Sequence, residues 1–130
     1  MKQEEKELLL KDLCGRLPYG VKCNVGDDKP YTLSRIEIDD KNGHLLDFIE
    51  TKDGLDMQVY LSEVKPYLYP MSSMTKEQSK IYHELIGGMF GTSALINFEV
   101  LEEFFNKNHI DYRGLIEKGL ATDATTLNLY

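Results

Sequence analysis

The chain contains no tryptophan and only two cysteines in 130 residues. Cys14 and Cys23 are separated by nine positions and lack the short CxxC spacing, so they provide neither a zinc site nor a disulfide framework. Reduced thiols that pack in the core of a cytosolic protein are the simpler expectation. No cysteine chemistry is therefore predicted from their spacing.

Long apolar runs are also missing. No stretch approaches the roughly 20 apolar residues of a membrane span. Met1–Glu7 is too charged for a secretion signal, and the run Leu8–Leu10 is too short for its apolar part. These absences predict a cytoplasmic protein with no membrane partner.

Basic residues are outnumbered, with 15 Lys and Arg against 22 Asp and Glu, a net charge of −7 and a pI near 4.9. They form no basic stripe, which argues against general affinity for nucleic-acid phosphate. Glu99, Glu102 and Glu103, together with the acidic turns, could form a phosphate mimic, but three glutamates on one helix face are normally its solvated side. The 42% hydrophobic content is that of an ordinary globular chain.

The histidines do not form a metal site or a catalytic set by spacing. His44, His83 and His109 fall in separate predicted elements. His83-Glu84 begins like a zinc-protease motif, but Gly87 stands where the second histidine is needed. We therefore predict no catalytic residues, no metal and no cofactor, and the protein is more simply a non-enzyme.

Two loops resemble known binding loops in part. Asp39–Gly43 does not match the calcium-loop pattern, because Lys41 and Gly43 occupy the third and fifth places, where oxygen ligands belong. The glycine-rich stretch 87–91 follows a predicted helix instead of a strand and lacks Lys-Ser/Thr, so it is not a phosphate loop. The first predicts a hairpin turn and the second a helix break.

The first predicted element is a helix over about residues 3–14. Two pairs of residues recur at i, i+4 and are expected to face inward: Leu9 with Leu13, and Leu10 with Cys14. Asp12 is expected on the polar side. Gly15 and Pro18 then end the helix.

From about 21 to 61 the apolar period changes to two, which predicts strands with one wet face. Turn clusters rich in Gly, Asn and Asp separate four such segments, at about 21–25, 31–39, 44–50 and 55–61. Short turns join neighbouring strands in an antiparallel meander. Leu33 and Ile36 have opposite parity, so both can face one side only if a β-bulge lies near Ser34-Arg35, and such a twist favours a small SH3-like barrel.

After the strands, prolines at 66 and 70 predict an extended segment over 64–70 that leaves the sheet. Thr75 and Gln78 form a capping box that opens a helix over about 76–86, in which Ile81 and Leu85 are expected to face inward. A second helix runs to about residue 106. A short third helix has Asp111 as N-cap and Gly119 after its end.

The predicted fold is therefore a single α+β domain over residues 1–130. It consists of an N-terminal helix, a four-stranded antiparallel meander over about 21–61 and three C-terminal helices over about 75–119. The tail, residues 120–130, is apolar enough to pack as an edge segment.

Several long strings carry a resemblance to known sequences: Leu8–Cys14, Arg16–Lys22, Ser62–Leu68, Ser72–Thr75, Asn106–His109 and Asp111–Ala121. They resemble a family of short uncharacterised proteins of Bacteroides-type gut bacteria, often encoded in prophage or mobile-element regions. The resemblance covers about two-thirds of the chain and is weakest near residues 87–100. It implies a genetic setting and carries no activity or site.

The hypothesis for function is a non-enzymatic accessory protein that acts through protein–protein contacts. Tyr67 and Tyr69 lie in the proline-braced segment, where rigid tyrosines make effective interface area, and Tyr112 with Arg113 could extend it. The partner and the oligomeric state are left open. The alternatives are a nucleic-acid binder that uses aromatic residues on a small barrel, and a small enzyme with an unrecognised site.

Overall fold

A computed structural model describes residues 2–39, 41, 43–49, 56–87 and 98–130. The described part holds three α-helices and seven strands: α1 Gln3–Arg16, β1 Lys22–Asn24, β2 Tyr31–Glu37, β3 Leu45–Ile49, β4 Asp56–Tyr60, β5 Lys65–Pro70, α2 Lys76–Gly87, α3 Phe98–Lys107, β6 Ile110–Asp111 and β7 Thr122–Asp123. The predicted turn at 51–54 and the glycines at 88 and 91 lie outside the described residues.

The antiparallel meander β1–β4 is confirmed. β1 pairs with β2, β2 with β3 and β3 with β4, each antiparallel. The register between β2 and β3 shifts between Leu33 and Arg35, where the change of parity had predicted a bulge. The extra residue returns Ile36 to the side of the sheet that carries Leu33, and Ile36 packs against the core.

The prediction that residues 64–70 leave the sheet is wrong. β5 pairs antiparallel with β1, with Pro66 opposite Cys23, and pairs in parallel with both β6 and β7. Pro66 and Pro70 are tolerated in β5 because only alternate residues of a strand donate to the same neighbouring strand. Tyr69, which lies between the two prolines, does donate its N–H, to His109 O at 2.8 Å.

The sheet is larger than the predicted four strands, and its order is β4-β3-β2-β1-β5-β6, with β7 also on β5. β4 and β6 stand at opposite ends of this order. The described strands therefore form an open mixed sheet and not the closed SH3-like barrel.

Helix α1 extends to Arg16, two residues beyond the prediction, and contributes Leu9 and Leu13 to the core. Two side chains differ from expectation. Cys14 is exposed, whereas Asp12, assigned to the polar side, is fully buried. Arg16 is also fully buried and forms an ion pair with Asp12.

The capping box at the start of α2 is confirmed. Thr75 N–H donates to Gln78 Oε1 at 3.0 Å, and Gln78 N–H donates to Thr75 Oγ1 at 3.1 Å. α2 then runs over Lys76–Gly87, close to the predicted range.

The predicted third C-terminal helix is wrong. Asp111 belongs to strand β6, and Gly114 adopts a φ of 73°, which interrupts helical backbone. A single turn follows and ends with Gly119 at φ 73°, where Leu120 N–H donates to Leu115 O and Gly119 N–H donates to Ile116 O. This is the Schellman pattern expected around a C′ glycine, so Gly119 has the predicted backbone role although it ends a single turn and not a helix.

Two clusters of buried apolar side chains result. The larger joins α1 to the sheet and includes Leu9, Leu13, Val21, Leu46 and Phe48. The smaller forms around Phe104, Phe105 and Ile110 and receives partly buried residues of α2 such as Tyr82 and Leu85. α2 and α3 therefore pack side by side, which creates the surface described next.

Candidate functional site

The two tyrosines of β5 differ in their exposure to solvent. Tyr67 is 2% exposed, and its burial raises the pKa of its hydroxyl. Its carbonyl accepts a hydrogen bond of 2.9 Å from the Tyr130 hydroxyl. Tyr69 is half-buried, and its ring meets the Tyr130 ring edge-on at 5.9 Å. Of these two residues, only Tyr69 offers surface.

Tyr112 and Arg113 make contacts within the protein. Arg113 Nη1 donates to Asp12 Oδ1 at 2.8 Å, and its guanidinium lies 4.4 Å from the centre of the Tyr112 ring. The Tyr112 ring also stacks on Phe105 with 4.9 Å between centroids. Both residues connect the segment after α3 to α1.

The ion pair beneath them is completely enclosed. Arg16 Nε donates to Asp12 Oδ2 at 2.8 Å, and both side chains are 0% exposed. Arg16 also donates to the carbonyls of Phe105, at 3.3 Å, and Ile110, at 2.6 Å. One carboxylate thus serves two guanidiniums, and backbone carbonyls satisfy other donors of Arg16.

An aromatic cleft lies beside Tyr69, with a volume of about 530 Å³. The His109 and Tyr130 rings stack there at 3.7 Å with 15° between their planes. His109 is 7% exposed, adopts a φ of 57°, and its buried Nδ1 has no hydrogen-bond partner. Burial and the positive charges of Arg16 and Lys22 lower its pKa to about 4, so the ring is neutral near pH 7.

A groove of about 700 Å³ separates α2 from α3. Its apolar lining is formed by Ile81 and Leu85 of α2 and by Val100 and Phe104 of α3. Ile81 is 45% exposed and Val100 41% exposed. The groove and the aromatic cleft share four lining residues, Thr75, Gln78, Lys107 and Asn108, so they form one continuous depression.

Internal hydrogen bonds fix two of the residues that the groove and the cleft share. Gln78 is held by the capping box and its Nε2 donates to Asn108 Oδ1 at 3.4 Å. Asn108 Nδ2 donates to Phe104 O at 2.8 Å. Because these polar side chains already have hydrogen-bond partners within the protein, they are held in place beside the apolar floor of the groove. The groove is therefore preformed.

The three histidines lie in separate parts of the described structure. His83 is exposed, and its Nδ1 lies 2.7 Å from Ser79 O. The cleft around His109 has no cysteine or carboxylate among its lining side chains. His44 lines a polar cavity of about 530 Å³ near the start of α1, where its Nδ1 accepts a hydrogen bond from Asp39 N–H at 3.1 Å.

Within the described ranges, no three His, Cys, Asp or Glu side chains are grouped so as to hold a metal ion. The cysteines are free thiols: Cys14 is exposed, and Cys23 is buried in the core, which raises its pKa. None of the helices that the structure describes is both long and apolar enough to span a membrane.

Sequence reasoning missed the main features of this surface. Ile81 was expected to face inward, but α3 covers only part of the apolar side of α2. His109 and Tyr130 showed no pattern, because their stacking joins positions 21 residues apart in irregular segments. A broad apolar stripe on α2 was the only available signal for the groove.

Comparisons with other proteins identify no relative: no family model matches the chain, and neither a curated protein nor a solved structure matches it significantly. The functional argument therefore depends on the geometry of this chain.

Proposed function

We propose that the protein is a non-enzymatic, cytoplasmic interaction protein that binds a partner protein through the groove between α2 and α3. The observation that carries this proposal is the pair Ile81 and Val100, both more than two-fifths exposed, above a floor of Leu85 and Phe104. A place in a prophage or other mobile element is part of the proposal through the sequence resemblance alone.

Free energy favours covering these side chains. Fully burying an aliphatic side chain contributes roughly 1.5–3 kcal/mol, so covering the exposed parts of Ile81 and Val100 would contribute about 2 kcal/mol together. Phe98, at the start of α3, is also exposed and would add to a larger contact. Concave apolar sites with fixed walls are where protein interfaces place their central contacts.

Of the four residues that the sequence suggested for the interface, the proposal keeps one in the contact surface. Tyr69 remains part of the proposed surface, because it lines the cleft that continues from the groove. Tyr67, Tyr112 and Arg113 make internal contacts, so their proposed role becomes support of the elements around the surface.

The proposal is tested by selecting peptides from a random displayed library on the immobilised protein. Each selected peptide is then titrated against the wild-type protein, Ile81→Asp and Ile38→Asp. Ile38 is an exposed isoleucine outside the groove, so its variant is the matched control. We expect Ile81→Asp to weaken binding by at least about tenfold, since a charge would be buried in an apolar contact, and Ile38→Asp to bind like the wild type.

Circular dichroism must show that both variants are folded to the same extent. Peptides whose affinities are unchanged by Ile81→Asp would show that the groove is not the binding surface.

A further inference from the structure

We infer that the occupant of the groove is an amphipathic helix whose apolar stripe is flanked by lysine or arginine. This inference rests on the proposed function, because it assigns a partner class to the same groove. It is carried by the charges around the groove and by the secondary structure of its walls.

Glutamates stand beside the apolar lining on both helices. On α2, Glu77, Ile81 and Glu84 follow at spacings of four and three, which places them along one stripe of the helix. On α3, Glu103 lines the groove with Val100, and Glu99 lies one turn before Glu103. All four glutamates are exposed.

The cations nearby do not neutralise this rim. Lys107 lines the groove, but at the end that joins the aromatic cleft, whereas Val100 is two turns earlier on α3. Lys80, like Glu84, is not among the lining residues, but around the axis of α2 it lies further from Ile81 than either Glu77 or Glu84 does. The apolar end of the groove is therefore bordered mainly by negative charge, which complements a basic partner.

The walls favour a helix over an extended strand. The residues that line the groove belong to α2, to α3 or to the positions next to them, and none lies in a strand, so the groove has no sheet edge to which a strand could add. On α2 the lining extends from Glu77 to Leu85, which corresponds to about 12 Å or two helical turns. Such a length suits the apolar stripe of one short amphipathic helix, whose anchors recur at i, i+3, i+4 and i+7.

The test uses two labelled peptides of about five helical turns with the same leucine stripe. One peptide has lysine beside the stripe and the other has glutamate. Their binding is measured by fluorescence anisotropy against the full chain, Ile81→Asp, Glu77→Lys/Glu103→Lys and Glu63→Lys/Glu117→Lys. Glu63 and Glu117 are exposed and lie outside the groove lining, so the last variant has the same change in net charge.

We expect the lysine peptide to bind at least about tenfold more tightly than the glutamate peptide at low salt, with a smaller difference near 0.5 M salt. Glu77→Lys/Glu103→Lys should remove or reverse this preference, whereas Glu63→Lys/Glu117→Lys should retain most of it. Ile81→Asp should weaken binding of the lysine peptide by a similar factor or more.

The contrary results separate the two proposals. If both peptides bind equally and Ile81→Asp weakens both, the groove binds helices but the charge selection is wrong. If neither peptide binds while library peptides still require Ile81, the helical occupant is wrong and the proposed function stands. If the lysine peptide binds Ile81→Asp as it binds the wild type, its attraction to the acidic protein is nonspecific, and the inference is overturned.

Discussion

Arg113 and Asp12 are 101 positions apart in the chain and are joined by a hydrogen bond of 2.8 Å. The same carboxylate binds Arg16 through its other oxygen, also at 2.8 Å. Because Arg16 in turn binds the carbonyls of Phe105 and Ile110, this small network connects α1 to the end of α3 and to β6. α3 forms one wall of the proposed groove, so the network helps to position the site.

Asp12→Asn should destabilise the fold strongly. The amide keeps the shape of the carboxylate but leaves two guanidiniums, one of them fully buried, without an opposite charge. Removing one partner of a buried ion pair typically costs about 3–5 kcal/mol. Urea unfolding followed by circular dichroism measures the loss, with Glu4→Gln, an exposed carboxylate on the same helix, as the control. A loss no larger than that of the control would show that the network is unimportant for stability.

This network could not be predicted from the helical pattern. Asp12 and Arg16 are four residues apart, which on a helix usually indicates an exposed pair. What buries them is a contact with residues 105–113, and the sequence contains no local signal for that contact. By contrast, Leu33 and Ile36 predicted the bulge correctly, because side-chain parity in a strand is a local property.

His109 should make stability depend on pH between about 4 and 6.5. Its pKa falls from 6.5 to about 4 on folding, mainly because burial disfavours the charged ring. In this interval the unfolded chain binds a proton that the folded chain does not, so stability is fully present above pH 6.5 and is lost as the pH falls towards 4. The loss should be about 1–3 kcal/mol.

The measurement compares urea unfolding at several pH values for the wild type, His109→Asn and His83→Asn. Asparagine tolerates the positive φ of position 109, so the backbone is kept while the titrating group is removed. We expect a smaller loss of stability on acidification in His109→Asn, and the wild-type loss in His83→Asn, since His83 is exposed. Equal pH dependence in all three proteins would contradict the assignment.

Tyr130→Phe should test how the tail is attached to the sheet. The Tyr130 hydroxyl accepts from Lys22 N–H at 2.8 Å and donates to Tyr67 O at 2.9 Å, so it bridges β1 and β5. Phenylalanine keeps the stacking on His109 but leaves both backbone groups without that partner, which should cost about 1–3 kcal/mol. Tyr60→Phe, at an exposed tyrosine of β4, is the matched control in thermal unfolding. Equal melting temperatures for the two variants would show that the bridge contributes nothing.

The sequence did not show which part of the apolar surface would remain uncovered. The period of α2 identified Ile81 and Leu85 as one face, but it could not show that α3 covers Leu85 better than Ile81. The burial of Tyr67 in β5 has a related reason. Prolines 66 and 70 indicated an extended segment that leaves the sheet. The segment instead pairs with β1 and with two strands, β6 and β7, that are too short to show a period.

Asp111→Ala should destabilise the single turn that follows β6. The sequence predicted Asp111 as the N-cap of a helix, and its carboxylate holds this turn instead. Asp111 Oδ1 accepts from Leu115 N–H and Oδ2 from Ile116 N–H, each at 2.9 Å, although the residue itself lies in strand β6. Loss of two hydrogen bonds to a buried carboxylate should cost about 2–4 kcal/mol.

Asp123→Ala is the control, because Asp123 also accepts a backbone N–H, that of Thr125, at 2.9 Å, but does so on the surface. Chemical denaturation of both variants should show a clearly larger loss for Asp111→Ala, and binding of groove peptides by the folded fraction should be unchanged. If the two losses were equal, the Asp111 carboxylate would be acting as an ordinary surface cap. The one-turn segment would then depend on Gly114 and Gly119, whose positive φ values set its two ends.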